Sequence, residues 1–206
     1  MRITWHGHSC FKVETNQGSV VFDPYEDGRV PGYAPLPRNL SADAVLCSHQ
    51  HRDHSAVELV RLSGSTPTFS VQEVSTFHDE VQGEKRGTNK IHLVSAGRIR
   101  LAHMGDIGCE LTREQLTVLR GVDVLLIPVG GFYTIDATQA KMMADAIGAR
   151  VVIPMHYRNG HLGYEVIGTL ESFTEQCNNV VMYDTNNIVI TADMPAQTAV
   201  LTYLAE

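Results

Sequence analysis

The segment 49–54, which reads His-Gln-His-Arg-Asp-His, constrains this chain more than any other feature. It directly follows an apolar strand, and side chains two residues apart in an extended stretch point the same way. His49 and His51 can therefore hold one ion together, and the turn that follows directs Asp53 and His54 towards a second position. Imidazole nitrogen combined with carboxylate oxygen favours Zn²⁺, with Mn²⁺ or Fe as alternatives.

Four isolated residues extend this pattern along the chain. Asp23 ends an apolar strand, His78 stands alone, Asp106 lies in a Gly-Asp turn, and His156 ends a late apolar strand. Together with H-x-H-x-D-H at 49–54, they resemble the five motifs of the metallo-β-lactamase superfamily, in the family's order. The opening Trp-His-Gly-His-Ser-Cys at 5–10 and the stretch 83–89 resemble its compact branch, which includes the L-ascorbate-6-phosphate lactonase relatives and small hydrolases of unassigned substrate.

The resemblance implies an α/β fold, an αββα four-layer sandwich in which two mixed β-sheets are flanked by helices. It also implies a dinuclear site at one edge of the sheets. His49, His51 and His78 would hold the first metal ion, Asp53, His54 and His156 the second, and Asp106 would bridge both. Two cations about 3.5–4 Å apart need a shared anionic ligand to reduce their repulsion.

Such a site would act as a metal-dependent hydrolase with a metal-bridging hydroxide as nucleophile. Bound water can have a pKa near 7 there, so the nucleophile is available at neutral pH. The predicted catalytic residues are Asp53 and Asp106. Asp53 would hold the second ion and is also placed to take or return a proton.

Several other residues are candidates for supporting the ligands or contacting substrate: His8, Asp23, Lys85, Arg86, His103, Thr134 and His161. Asp23 would brace the ligand loop, whereas His8 and His103 are either neighbours of the site or satisfied core histidines. Arg86 and Lys85 lie in a glycine-containing loop, where they would hold an anionic group or stay solvated. Thr134 and His161 lie in loops that either reach substrate or serve only as turns.

Apolar runs without alternation at 122–129 and 149–155 predict two strands covered on both faces. Shorter runs predict further strands, among them a hairpin turning at 16–18 and two separate strands at 66–71 and 74–78. No linker divides the chain, so we expect a single domain over residues 1–206.

Four helices are predicted. Three begin at capping boxes and end near glycines: Ser55-x-x-Glu58 to Gly64, Thr112-x-x-Gln115 to Gly121, and Asp136-x-x-Gln139 to Gly148. The fourth rests on an apolar stripe between Val166 and Cys177.

Composition restricts the partners and the location. Of the 206 residues, 43% are hydrophobic and 19% charged, which excludes a disordered chain. A net charge of −7 argues against nucleic acid as a partner. No apolar run approaches the roughly 18–20 residues of a membrane helix, and the opening shows no secretory signal. We therefore expect a cytoplasmic protein with a small-molecule substrate, anionic if the basic loop contacts it; a homo-oligomer stays open.

The leading hypothesis is hydrolysis of a small ester, lactone or phosphoester. One alternative is a phosphodiesterase or nuclease acting on nucleotides or RNA, which the negative net charge disfavours. Another is a metal-binding sensor without turnover, which the presence of Asp53 disfavours. Oxygen chemistry at iron is a further alternative, because a ligand set does not determine which metal it binds.

Overall fold

The computed structural model describes residues 1–205, and in them three α-helices accompany fourteen strands. In chain order the strands are β1 (Arg2–Gly7), β2 (Cys10–Thr15), β3 (Gly18–Phe22), β4 (Ser41–Ala42), β5 (Ala44–Leu46), β6 (Arg61–Leu62), β7 (Ser70–Phe77), β8 (Thr88–Ala96), β9 (Ile99–His103), β10 (Val124–Pro128), β11 (Val151–Met155), β12 (Val180–Met182), β13 (Asn187–Val189) and β14 (Gln197–Val200). The helices are α1 (Arg113–Leu119), α2 (Ala137–Ile147) and α3 (Glu171–Thr174). None of the described helices is long and apolar enough to cross a membrane.

Two mixed sheets form the body of the molecule. The five-stranded sheet has the order β13-β1-β2-β3-β5, with β3 and β5 parallel and its other pairs antiparallel. The seven-stranded sheet has the order β12-β14-β11-β10-β9-β8-β7, antiparallel from β7 to β9 and parallel beyond. Strands β4 and β6 form a separate short pair. The mixed sheets predicted from the resemblance are therefore present.

The core lies between the sheets. Phe22 of β3 stacks on the ring of His103 in β9, with ring centroids 4.9 Å apart. Phe11 of β2 contacts the same imidazole edge-on at 6.1 Å. All five residues of β10 are buried, as its unbroken apolar run predicts. Helix α2 packs on β10 and contacts both other helices.

Two predicted capping boxes form. Thr112 and Gln115 cap α1 reciprocally, and Asp136 and Gln139 do the same for α2. Helix α2 ends at Gly148, whose φ of +70° is the left-handed conformation that glycine adopts most easily.

The predicted helix between Ser55 and Gly64 is wrong. Only a short 3₁₀ helix, Val57–Leu59, forms there, and its first turn has no side-chain cap. The Ser55 hydroxyl instead donates to the His51 carbonyl at 2.9 Å, and the chain continues into β6. The Ala56 amide also donates to the Pro24 carbonyl at 2.8 Å, and this contact with a distant part of the chain replaces the local helix signal.

Two further predictions need correction. The stripe from Val166 forms only the four-residue α3, because the Arg158 amide donates to Gly168 and the Leu170 amide donates back to Arg158, which holds residues 168–170 in a bridge. The strands predicted at 66–71 and 74–78 are one strand, β7, paired continuously with β8.

Candidate metal centre

The ends of parallel strands bring the predicted ligands together. Asp23 follows β3, His49 lies three residues after β5, His78 follows β7, Asp106 lies three residues after β9, and His156 follows β11. Because β3 is parallel to β5, and β7, β9 and β11 share one direction, these residues emerge from the carboxyl ends of their strands. Such edges are where ligands commonly bind in α/β sheets.

The first cluster consists of His49, His51 and His78. One nitrogen of each lies within 4.8 Å of the corresponding nitrogens of the other two. His49 and His78 are buried, whereas His51 is exposed at the mouth. Three convergent imidazoles are a donor set that could hold a transition-metal ion.

Asp106 lies between this cluster and a second one. Its Oδ2 is 3.2 Å from His54 Nε2, 3.2 Å from His156 Nε2 and 3.4 Å from His78 Nε2. Its Oδ1 is buried and has no hydrogen-bond partner among the described residues. Burial raises the pKa of this carboxyl, but His156 and His54 outweigh it and hold the pKa well below its ordinary value. A buried, ionised carboxylate with one unpartnered oxygen is suited to a position between two cations.

The second cluster joins His54 and His156 with two further residues. Asp53 Oδ2 is 3.9 Å from His54 Nε2 and accepts a hydrogen bond from the Tyr164 hydroxyl at 3.0 Å. His8 Nε2 is 3.7 Å from the same carboxylate oxygen. One nitrogen each of His8, His54 and His156 lie within 4.8 Å of one another.

Asp23 fixes the orientation of the ligand loop. Its Oδ1 accepts from the Ser48 amide at 2.7 Å, and its Oδ2 accepts from the Ser48 hydroxyl at 2.6 Å and from His54 Nδ1 at 2.9 Å. The Ser48 hydroxyl has one proton, so its 2.9 Å contact with His49 Nδ1 is one in which Nδ1–H donates. Both imidazoles therefore present a proton-free Nε2 to the centre when an ion is bound.

Burial and neighbouring charges set the protonation of these groups. Burial raises the pKa of the Asp23 carboxyl, but the opposite effect of His103 and His54 is larger, and the pKa falls to about 2. Burial and the positive field of His54 lower the pKa of His49 to about 3. At neutral pH the brace is therefore ionised and His49 is neutral, as ligand binding requires.

Asn89 supports the Asp106 turn, a role that was not predicted from the sequence. It is fully buried, and its Oδ1 accepts from the Asp106 amide at 2.9 Å. Its Nδ2 donates to Thr76 Oγ1 at 2.8 Å and to the Met104 carbonyl at 3.0 Å. A Cβ at Gly105 would lie 2.3 Å from Asn89 Oδ1, so the turn before Asp106 requires glycine. The motif that contains Asn89 is the only sequence signal that marks it.

His103 lies beneath the centre rather than in it. Its Nε2–H donates to the Ser9 carbonyl at 2.9 Å, and its Nδ1 accepts from the Gly105 amide at 3.2 Å. The same Nδ1 is 4.0 Å from Asp23 Oδ2. His103 thus supports the brace and the Asp106 turn from the core.

A cavity of about 530 Å³ opens over both clusters. It is lined by Arg29, Gln50, His51, Arg52, Asp53, His78, Arg86, Asp106, Tyr133, His156 and Tyr164. The guanidinium of Arg86 lies 5.6 Å from the centroid of the Tyr133 ring. The volume of the cavity suits a small-molecule ligand.

The remaining candidates lie away from this lining. Lys85 pairs with Glu80 on the surface. The Thr134 hydroxyl donates to the Ile135 carbonyl, and His161 is exposed in its loop. Arg29, Arg52, Tyr133 and Tyr164, which do line the cavity, carry no motif that sequence reasoning could have used.

The fold and the site together define an α/β sandwich that presents a histidine- and aspartate-rich centre at its sheet edge. Residues 2–156 match the family model described as the beta-lactamase superfamily domain. The chain is 29% identical to a UPF0173 metal-dependent hydrolase of Carboxydothermus hydrogenoformans, over 76% of this chain and 84% of that one. It is 28% identical to a relative of the same description from Methanopyrus kandleri, with the same coverage of 76% and 84%.

A solved structure from Thermotoga maritima, described as a Zn-dependent hydrolase of the metallo-β-lactamase superfamily, is similar to nearly the whole chain. The sequences are 31% identical, the TM-score is 0.77, and the match covers 97% of each chain. This chain belongs to the metallo-β-lactamase superfamily. The predicted fold and the predicted class, a metal-dependent hydrolase of this superfamily, are thereby confirmed.

Proposed function

We propose that the chain is a dinuclear hydrolase of a small anionic ester, lactone or phosphoester. In this proposal His49, His51 and His78 bind the first ion, Asp53, His54 and His156 bind the second, and Asp106 binds both. The observation that carries it is the position of Asp106, whose Oδ2 lies within 3.4 Å of imidazole nitrogens from both ligand sets.

The residues present fit such a pair of ions. Buried polar atoms without hydrogen-bond partners among the described residues include His49 Nε2, His54 Nε2 and Asp106 Oδ1. Leaving such atoms unpaired is costly, and ligation would satisfy them. The nitrogen and oxygen donors favour Zn²⁺, with Mn²⁺ or Fe as the other candidates. When bound, the ions would supply a nucleophilic water of lowered pKa and neutralise charge that develops on the substrate.

The protein residues would then orient and transfer protons. The Tyr164 hydroxyl, which donates to Asp53 Oδ2 at 3.0 Å, holds that carboxylate at the cavity wall. Asp53 would accept a proton from the nucleophile and return it to the leaving group. Asp23 would hold the His54 imidazole in position during this proton transfer, and Asn89 would hold the turn at Asp106.

The arginines that line the cavity favour an anionic substrate. Arg29 and Arg86 line it, and neither forms an ion pair with a carboxylate in the described part of the chain. Arg52, by contrast, pairs with Glu26. Two guanidinium groups left free beside the centre would bind a carboxylate or phosphate of the substrate.

Metal content and a substrate panel test the proposal. Wild-type protein should bind two equivalents of Zn²⁺ or Mn²⁺ per chain by elemental analysis, and hydrolysis of aryl esters, lactones or bis-p-nitrophenyl phosphate should require them. Asp53→Asn should lower kcat by about 10²-fold or more. The control is Asp193→Asn, which changes an exposed aspartate away from the centre and should leave kcat unchanged. Binding of one ion or none at saturation, or no hydrolysis that depends on metal, would contradict it.

The same panel separates the alternatives. Hydrolysis restricted to the phosphodiester would favour a phosphodiesterase, and full metal binding without any turnover would favour a sensor. The cytoplasmic location, the single domain and a homo-oligomer stay predictions of the sequence.

A further inference from the structure

We propose that His8 is a further ligand of the second metal ion, beside Asp53, His54 and His156. The inference rests on the proposed function, because it adds a residue to the centre described there. It also changes the chemistry of that centre, because the two ion positions would no longer have equal numbers of protein ligands.

The backbone places His8 in the site with some strain. It follows Gly7 at the turn between β1 and β2, and its φ of +52° lies in the left-handed region. The Trp5 indole N–H donates to the His8 carbonyl at 3.0 Å and holds the turn in place. A Cβ at Gly7 would lie 2.4 Å from the Tyr33 ring, so glycine is required before His8.

The same backbone feature recurs at residues of this centre. Asp23, with φ +44°, and His156, with φ +52°, are the other two site residues in the left-handed region. Non-glycine residues in this region are costly and persist where the surrounding structure enforces them, often at functional sites. The turn at His8 thus belongs with two residues that brace or line the centre.

The imidazole of His8 is buried without a hydrogen-bond partner among the described residues. It is 1% exposed, and neither Nδ1 nor Nε2 has a hydrogen-bond partner among the described residues. Its ring lies 4.2 Å from the ring of His156 and 5.1 Å from that of His54, measured between centroids. A buried imidazole with two unpartnered nitrogens, packed against two predicted ligands, is suited to metal binding.

Distances between donor atoms agree with this role. His8 Nε2 is 3.7 Å from Asp53 Oδ2, which is 3.9 Å from His54 Nε2. Donor atoms bound to one ion at about 2.1 Å lie roughly 3.0–3.4 Å apart in octahedral or tetrahedral geometry. The observed separations are therefore within about 1 Å of a shared coordination sphere.

A simple hydrogen bond explains these contacts less well. At 3.7 Å, His8 Nε2 is too far from Asp53 Oδ2 to donate to it. That oxygen already accepts from Tyr164 at 3.0 Å. Metal ligation would place His8 and Asp53 on one ion without a direct bond between them.

The role of His8 makes the two positions unequal. The second ion would have four protein ligands of its own plus Asp106, whereas the first would have three plus Asp106. The second ion should therefore be the last that a chelator removes. This order is measurable without any substrate.

Metal titration of variants tests the proposal. His8→Asn keeps a residue that tolerates left-handed φ, and His8→Gln keeps a polar group of similar length. In chelator competition, both variants should bind the second Zn²⁺ more than about 100-fold more weakly than wild type. Loss of a residue that only hydrogen-bonds to a ligand lowers metal affinity by about 10–100-fold, so a larger loss indicates a direct ligand. The matched control is His92→Gln, an equally buried histidine that donates to the Cys47 carbonyl outside the centre, and its metal affinity should not change.

The outcomes separate this inference from the proposed function. If wild type binds two ions and both His8 variants bind the second within 100-fold of its affinity, the dinuclear hydrolase stands and His8 is not a ligand. If wild type binds one ion or none, both proposals are overturned.

A measurement on wild type covers the case in which the variants fail to fold. In ¹⁵N-labelled protein, a ring nitrogen of His8 should change its chemical shift from the protonated or free value to that of a metal-bound nitrogen when Zn²⁺ is added. Unchanged His8 ring nitrogens in the fully loaded protein would refute the ligand role.

Discussion

Replacing Asn89 with alanine should destabilise the protein even without metal. The side chain makes three buried hydrogen bonds, and its loss leaves the Asp106 amide and the Met104 carbonyl without their partner. The third partner, Thr76 Oγ1, loses a donor but still donates its own proton to the carbonyl of residue 89, which alanine retains. Each buried polar group left unpaired costs about 1–3 kcal/mol, so the two groups together should lower the free energy of unfolding of Asn89→Ala by roughly 2–6 kcal/mol.

Urea unfolding of metal-free protein measures this loss apart from any loss of ligands. The free energies of unfolding of chelated wild type and chelated Asn89→Ala are compared, provided that the two unfolding curves have the same m value. The exposed Asn39→Ala serves as control. The control should stay within about 0.5 kcal/mol of wild type. A loss below about 1 kcal/mol for Asn89→Ala would show that these hydrogen bonds do not hold the Asp106 turn.

Three further predictions concern the brace, the cavity and the core. Asp23→Asn removes one of the two oxygens that accept from Ser48 and His54. The affinity for metal should therefore fall about 10–100-fold in chelator competition. An unchanged affinity would show that Asp23 does not orient the ligand loop. Arg86→Ala should raise KM at least about 10-fold for an anionic substrate and leave KM for a neutral aryl ester unchanged, because only a charged partner gains from the guanidinium; equal effects on both would contradict the anion site. Leu126→Ala, at a fully buried position of β10, should lower the free energy of unfolding by about 2–5 kcal/mol in urea; a loss below about 1 kcal/mol would contradict a tightly packed core.

Local patterns predicted those elements whose signals are satisfied within a few residues. The reciprocal caps of α1 and α2 and the unbroken apolar run of β10 depend on near neighbours or on complete burial, and they formed as predicted. The helix expected after Ser55 depended on a cap of the same kind. The helix does not form because the Ala56 amide bonds to the Pro24 carbonyl and the chain continues into β6, which pairs with β4; no local pattern reveals either contact.

The segment 49–54 was recognisable as a predicted ligand set because its donors are close together in the sequence. Asp106 and His156 were assigned only through the resemblance, because each is a single residue at the end of a strand. Their common direction follows from the parallel order of β9, β10 and β11, which the sequence does not specify. The resemblance thus supplied the topology that turns isolated residues into one site.

Residues that support the ligands were the hardest to predict, and their positions explain why. Asn89 reaches the Asp106 amide from β8, 17 positions earlier in the chain, and Tyr164 reaches Asp53 across 111 positions. Neither contact leaves a periodic or capping signal, because each depends on where a loop or strand crosses the sheet edge. A histidine in a tight turn, such as His8, likewise has the same local signature whether it binds metal or is merely buried. The proposed ligand role of His8 therefore rests on the hydrogen-bond partners that its buried nitrogens lack, and the proposed ligands and their supports become separable only at the level of individual hydrogen bonds.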